Sequence, residues 1–373
     1  MKRTILIILM ASLVYTCAGC SDNKESNRSV PAEGLSTQAA DTLAAKWPTK
    51  DWSKSTPEKQ GLDEQQFTRI VTRIKDNYPN VYSLLVIRNG FLVFEEYYNG
   101  AAKTAYNPVY SVTKSVMSAL TGIAIREKLI FGTGQKVTEL IPEYFGSSDN
   151  LKKRDITIEN VLTMTGGLES IDNNYNGYFS SSDWLRYALD KPLTDEPGSK
   201  FVYNTGLTQI LSGIISEKSN MKTKDFADKY LFKPLNIEVK RWERDSTDCY
   251  GGGSGLYLTA RDMAKFGYLY LNKGNWDGRR LIPEEWIAAS ITKKVEVDKG
   301  VDYGYLFWIA DMENKTTGRT YHTYRADGAG GQKIVIIPET NMIIVVTANI
   351  NAGSRDGEDT QRLVEDYVIP AIK

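Results

Sequence analysis

Ser111-Val112-Thr113-Lys114 is the stretch of this chain best equipped to do chemistry. It stands at the mouth of a strongly apolar run over 115–130, which predicts a helix. A serine and a lysine three apart lie on one helical face, one turn apart. That places an amine within reach of a hydroxyl, an arrangement that activates a serine nucleophile without a histidine. The spacing alone decides little, because Ser-x-x-Lys recurs at Ser21/Lys24, Ser219/Lys222 and Ser290/Lys293. Only the copy at Ser111 leads into a buried-type helix and is joined by further motifs downstream.

The second of these is Phe201-Val202-Tyr203-Asn204-Thr205-Gly206, after the Pro197-Gly198 turn. Tyr203 reads either as a packed aromatic or as a phenol whose pKa a nearby ammonium lowers. As a phenolate beside Lys114 it would take the serine proton and return it to a leaving group. The third is Ala326-Asp327-Gly328-Ala329-Gly330-Gly331-Gln332, entering a strand. Its glycines either make a bulge or let backbone approach a ligand and aim an N–H at a developing oxyanion. Gly251-Gly252-Gly253 lacks the Gly-Lys-Ser/Thr ending of a phosphate loop and reads as a turn near the cleft.

His322 is the only histidine, so a His-rich zinc site is excluded and a Ser-His-Asp triad would have to use that one imidazole. With Lys114 and Tyr203 filling the base role, His322 is expected as an exposed or hydrogen-bonded strand residue. No cofactor and no metal is implied.

These residues need a scaffold that brings distant segments together. Two β-rich runs, 82–87 and 91–97, meet at Asn89-Gly90, a strong hairpin signal. A second pair, 333–337 and 342–348, flanks residues 338–341, and a strand over 320–325 precedes it. Helical patterns fill the interval at 115–130, 158–164, 183–189, 208–217, 224–230, 260–271 and 283–290, with terminal helices at 65–76 and 358–372. A lone hairpin is marginal. The prediction is therefore an α+β domain over 51–373: one antiparallel sheet built from N- and C-terminal parts (51–115 and 300–373), with an inserted helical region (116–299). The cleft falls where the parts meet.

The chain has 373 residues, 41% hydrophobic, and its 46 basic and 46 acidic side chains cancel, so no polybasic surface argues for nucleic acid. Residues 1–20 read as a signal peptide: Lys2 and Arg3, a short apolar run, then small residues ending at Cys20. Residues 21–50 are polar and aperiodic and read as a flexible tether. Cys249 is then the sole free thiol, expected as a packed side chain rather than a nucleophile.

Taken in order, the three motifs resemble the serine β-lactamase/penicillin-binding protein superfamily, most closely the class C-related branch that includes 6-aminohexanoate-dimer hydrolases and esterases. The stretches 156–168, 252–262 and 303–308 extend the resemblance over about residues 60 to 370. It implies a β-lactamase/DD-peptidase-like fold, Ser111 as the acylated nucleophile, Lys114 as the lysine that lowers the serine and tyrosine pKa, and Tyr203 as general acid/base, held as phenolate. The oxyanion hole would be the backbone amides of Ser111 and Ala329, with Thr205, Asp327 and Gly328 facing substrate. Ala18-Gly19-Cys20 likewise resembles a lipobox, which implies lipidation of Cys20 and a lipid-anchored, periplasm-facing protein of the bacterial envelope; a secreted soluble form is the alternative.

Two departures bear on substrate. Thr205 stands where class C enzymes have asparagine, and Ala326-Asp327-Gly328 replaces their Lys-Thr-Gly. Losing a charge-assisted hydrogen bond costs about 1.5–3 kcal/mol, and Asp327 adds a negative charge that Arg325, on the same strand face, offsets. The expectation is a serine hydrolase cleaving a small amide or ester through an acyl-enzyme. The competing readings are a D-alanyl-D-alanine peptidase or β-lactamase, and a non-catalytic envelope lipoprotein.

Overall fold

The computed structural model describes residues 47–146, 151–354 and 357–373, all within one compact unit spanning 44–373. The expected signal peptide, Cys20 and nearly all of the tether lie outside the described residues.

Helix α1 (Glu64–Asn77) begins where the Asp63 carboxylate accepts a 3.0 Å bond from the Gln65 amide, and it buries Phe67, Ile70 and Ile74 on one stripe. Strands β1 (Val81–Arg88) and β2 (Phe91–Tyr97) follow. They turn at Asn89 and Gly90, whose φ of 53° and 80° are what a tight hairpin demands. Three longer helices make up much of the middle: α2 (Val112–Arg126), α3 (Thr205–Ser219) and α4 (Ala260–Leu271). Strands β3 (Val295–Asp298), β4 (Val301–Tyr303), β5 (Trp308–Glu313), β6 (Thr320–Gly328), β7 (Gln332–Ile337) and β8 (Met342–Ala348) come next. Helix α5 (Glu358–Leu363) continues as irregular helical turns to Ala371.

The eight strands form one sheet in the order β2-β1-β8-β7-β6-β5-β4-β3, antiparallel at every step. The N-terminal hairpin docks on the last strand, with Val86 opposite Ile344, so the sheet is built from both ends of the chain. Strands β3 to β5 are additions that the sequence patterning did not reveal. β3 starts at Val295, ahead of the boundary expected at 300; it is four residues long and its side chains are partly or fully exposed, so it lacks an apolar stripe.

β7 and β8 are buried along their whole length. Alternation sends Val345 into a core shared with α2, α3 and α4, and Val346 into a second core under α1 and the C-terminal turns. Each fully buried aliphatic side chain contributes about 1.5–3 kcal/mol, which is what fixes the register. Helix α2 is buried continuously from Val112 to Ala124. It lies between the sheet and α3, and Ser111 caps its first turn.

Candidate active site

Ser111 is the N-cap of α2. The residue before it, Tyr110, has a φ of 46°, a left-handed conformation that costs a bulky side chain about 1–3 kcal/mol. The approach to it is pinned. Asn107 and Pro108 pair with Leu258 and Tyr257, and the Val109 amide donates to the Leu256 carbonyl at 2.9 Å. The strain thus sits next to Ser111 and is held there by a two-stranded ribbon.

Lys114, one turn on, is 1% exposed. Its Nζ donates to Ser111 Oγ at 2.9 Å, to Thr205 Oγ1 at 3.0 Å and to the Gly253 carbonyl at 2.8 Å. All three acceptors are neutral. Burial lowers the amine to about 8, against a smaller opposing pull from Asp172. About one in ten of such amines is free base at pH 7. Gly253 reaches Lys114 because it has no side chain: a Cβ there would strike Thr205 Cγ2. Reading 251–253 as a turn missed this carbonyl, and no residue-type signal marks a backbone oxygen.

Tyr203 precedes the Asn204 cap of α3. Asn204 Oδ1 accepts from the Gly206 amide at 2.9 Å, and its side-chain amide donates to the Leu168 carbonyl at 3.1 Å. The Val202 amide donates to the Met164 carbonyl at 2.9 Å, so the 156–168 stretch anchors the segment that carries the phenol. Trp308 on β5 stacks on the Tyr203 ring with centroids 5.8 Å apart, and Lys114 Nζ lies 4.9 Å from that ring's centroid. The expected phenolate is not the resting form. Burial pushes the Tyr203 phenol far above its ordinary value, although its contact with Ser111 pulls the other way. Burial outweighs that contact, with Asp172, Tyr175 and Asp327 pushing the same way, so Tyr203 rests as an acid.

Thr205 also differs from expectation. It is 1% exposed and its hydroxyl serves Lys114 and, at 3.2 Å, the Tyr175 hydroxyl, so it positions the lysine and does not face substrate. Its amide donates to Asp172 at 3.2 Å. Asp172, in a single 3-10 turn (Ile171–Asn173), escaped the sequence reading because a lone aspartate carries no pattern. Tyr175 and Phe179 stack at 6.0 Å and are 40% and 44% exposed.

Gly328 ends β6 against the segment that leads to Ser111: a Cβ on it would strike the Val109 carbonyl oxygen. This close approach sets Ala329 beside the start of α2. Among the described residues no backbone hydrogen bond occupies the Ser111 or Ala329 amide. Two unengaged N–H groups near a serine hydroxyl, one of them at a helix N-terminus, suit a developing oxyanion.

Asp327 is offset by Arg325, as strand alternation predicts, and by a second cation that it does not predict. Arg325 Nε donates to it at 2.6 Å and Lys333 Nζ, opposite it on β7, at 3.3 Å. Burial pushes its carboxyl up, yet Lys333 and Arg325 together hold it below its ordinary value. The cluster carries two cations and one anion, a surplus of positive charge.

Two other residues stand outside the site chemistry. His322 is exposed on β6 with Nδ1 2.9 Å from Asp311. Cys249 is half-buried, accepts from Gln209 at 3.1 Å, and burial pushes its thiol up to about 12, so it is inert.

An eight-stranded antiparallel sheet against helices, with a serine and a buried lysine at the first turn of the central helix, is the fold type of β-lactamases and penicillin-binding proteins. The Beta-lactamase family profile matches residues 67–368, and the chain belongs to that family. It is 23% identical to the 6-aminohexanoate-dimer hydrolase of Paenarthrobacter ureafaciens over 284 residues, 70% of this chain and 71% of that one. Among solved structures, a D-stereospecific amidohydrolase from Streptomyces superposes with a TM-score of 0.63 at 14% identity, covering 81% of this chain and 97% of the other. A penicillin-binding protein from Bacillus halodurans gives 0.62 at 16% identity, covering 80% and 98%. At these identities the structural likenesses speak for the fold alone. The family and the named relative make the chain a β-lactamase-fold hydrolase.

Proposed function

We propose that this chain is a serine hydrolase that cleaves a small amide or ester through an acyl-enzyme on Ser111. The observation that carries it is the 2.9 Å contact between Ser111 Oγ and a buried amine lowered to about 8. In the proposed reaction neutral Lys114 takes the Ser111 proton as Oγ bonds to the substrate carbonyl carbon. The carbonyl oxygen becomes an oxyanion that the Ser111 and Ala329 amides receive. The bond to the leaving amine or alcohol then breaks as the Tyr203 phenol protonates it, with Lys114 restoring that phenol's proton. Water attacks the ester by the reverse route and frees Ser111.

Labelling with a fluorophosphonate probe followed by peptide mass spectrometry tests this reading. The adduct is expected on Ser111 and should vanish in Ser111→Ala; an unlabelled but folded protein would favour the non-catalytic lipoprotein reading instead. A second reading, D-alanyl-D-alanine peptidase or β-lactamase, gains from the surplus cation of the Arg325–Asp327–Lys333 cluster, and a covalent adduct with labelled penicillin would support it. We also propose that Cys20 anchors the chain in the bacterial envelope, facing the periplasm; metabolic labelling with a fatty acid should be lost in Cys20→Ser.

A further inference from the structure

A cavity of about 570 Å³ shares no residue with the Ser111 site, and its size is that of a ligand cleft. Trp52, Tyr106 and Ile237 give it apolar wall, and six basic side chains line it against three carboxylates. The carboxylates are all engaged. Arg261 donates to Asp51 at 2.5 Å, Lys240 lies 3.7 Å from Glu238, and Asp262 accepts from the Thr259 hydroxyl at 2.7 Å. Lys50, Lys103 and Lys233 have no ion-pair partner among the described residues. In the wall, Lys265 is 7% exposed and its Nζ makes one hydrogen bond, 2.8 Å to the Asn236 carbonyl. An ammonium has three donors, so two remain. The Asp262 and Asp51 carboxylates act on Lys265 only through space, beyond ion-pair distance, so a directly bonded anion would still stabilise this buried cation. A second cavity, of about 540 Å³, shares Lys50, Lys233 and Asn236 with the first and adds Arg279 and one carboxylate, Asp277, so three basic groups face one acid there. The two lysines therefore stand between two basic hollows.

We propose that these hollows form one binding site for a soluble ligand bearing at least two phosphate groups. One group sits over Lys103 and Lys265, the other beside Arg279, and Lys50 and Lys233 bridge them. Lysine ammoniums are point charges that suit phosphate oxygens approaching from several directions, and a concave site favours a compact polyanion over a flat membrane.

The test is calorimetry on the full chain with tripolyphosphate, with inorganic phosphate and sulfate at equal ionic strength as controls. Saturable binding of tripolyphosphate is expected, at least about tenfold tighter than of inorganic phosphate and weakening steeply with salt. Lys233→Glu should weaken it a further tenfold or so, while the fluorophosphonate reaction at Ser111 keeps its rate. Equal affinity for tripolyphosphate and sulfate, or no change in Lys233→Glu, would overturn the proposal. So would capture by phosphatidylglycerol vesicles that tripolyphosphate does not compete away, since that would assign the charge to a lipid surface. Lys50→Gln, at an exposed position, gives the same readout should Lys233→Glu fold poorly.

Discussion

Lys114 and Lys333 are both buried lysines within the same domain, and they are kept in opposite ways. Lys333, with 4% of its side chain exposed, has a carboxylate at 3.3 Å. Lys114 is given only two hydroxyls and a carbonyl. A counter-ion stabilises the charged form, whereas neutral acceptors leave desolvation free to disfavour it. On the proposed mechanism the fold makes a base by withholding a carboxylate from one lysine, and it ties two strands together by supplying one to the other.

Removing Lys114 breaks this contrast most severely. Lys114→Met should lower kcat/KM by about a thousandfold, within the usual range for a general base, and slow fluorophosphonate labelling to match. Supplying the missing counter-ion is the sharper test. Thr205→Asp should raise the Lys114 amine by about one to three pH units. In the wild type, kcat/KM is expected to fall tenfold per unit as pH drops below about 8, because protonation removes the base, and to level off above it. In the variant that limb moves up and activity at pH 7 drops accordingly.

Tyr203→Phe should cost about a hundredfold on an amide and much less on an aryl ester, whose phenolate leaves unaided. For Lys333 the expected effect is on stability. Asp327→Asn leaves two cations close together without their anion and should destabilise the fold by about 3 kcal/mol in chemical denaturation, while the pH limb set by Lys114 stays in place. His322→Gln should leave the pH–rate profile unchanged; a shifted limb would return the imidazole to the mechanism.

Much of the scaffold could be read from side-chain type. Asn89-Gly90 marked its hairpin, the 333–348 pair was evident from unbroken aliphatic runs, and Ser111/Lys114 stood out because an apolar helix followed. What stayed hidden depends on contacts between distant segments. The edge strands β3 to β5 have mixed polarity, the acceptor at Gly253 is main chain, and Asp172 is one carboxylate in a single short turn. The protonation state of Tyr203 was misjudged for the same reason: a nearby amine is visible in sequence, but the depth of burial that raises the phenol is not. Asp327 shows the reverse case, where strand alternation pointed to Arg325 but not to Lys333 on the neighbouring strand.

The pairing of the first hairpin with the last strand also bears on biosynthesis. Ser83 Oγ meets Thr347 Oγ1 across 264 residues of chain, so on a ribosome β1 emerges long before its partner exists. Until then one edge of an apolar hairpin waits without a neighbour, prone to pair with another chain. The proposed catalytic centre needs β6 standing beside α2, so on that reading a nascent or clipped product lacking β6 would be inert, and its reactivity would switch on only once that strand has joined the sheet.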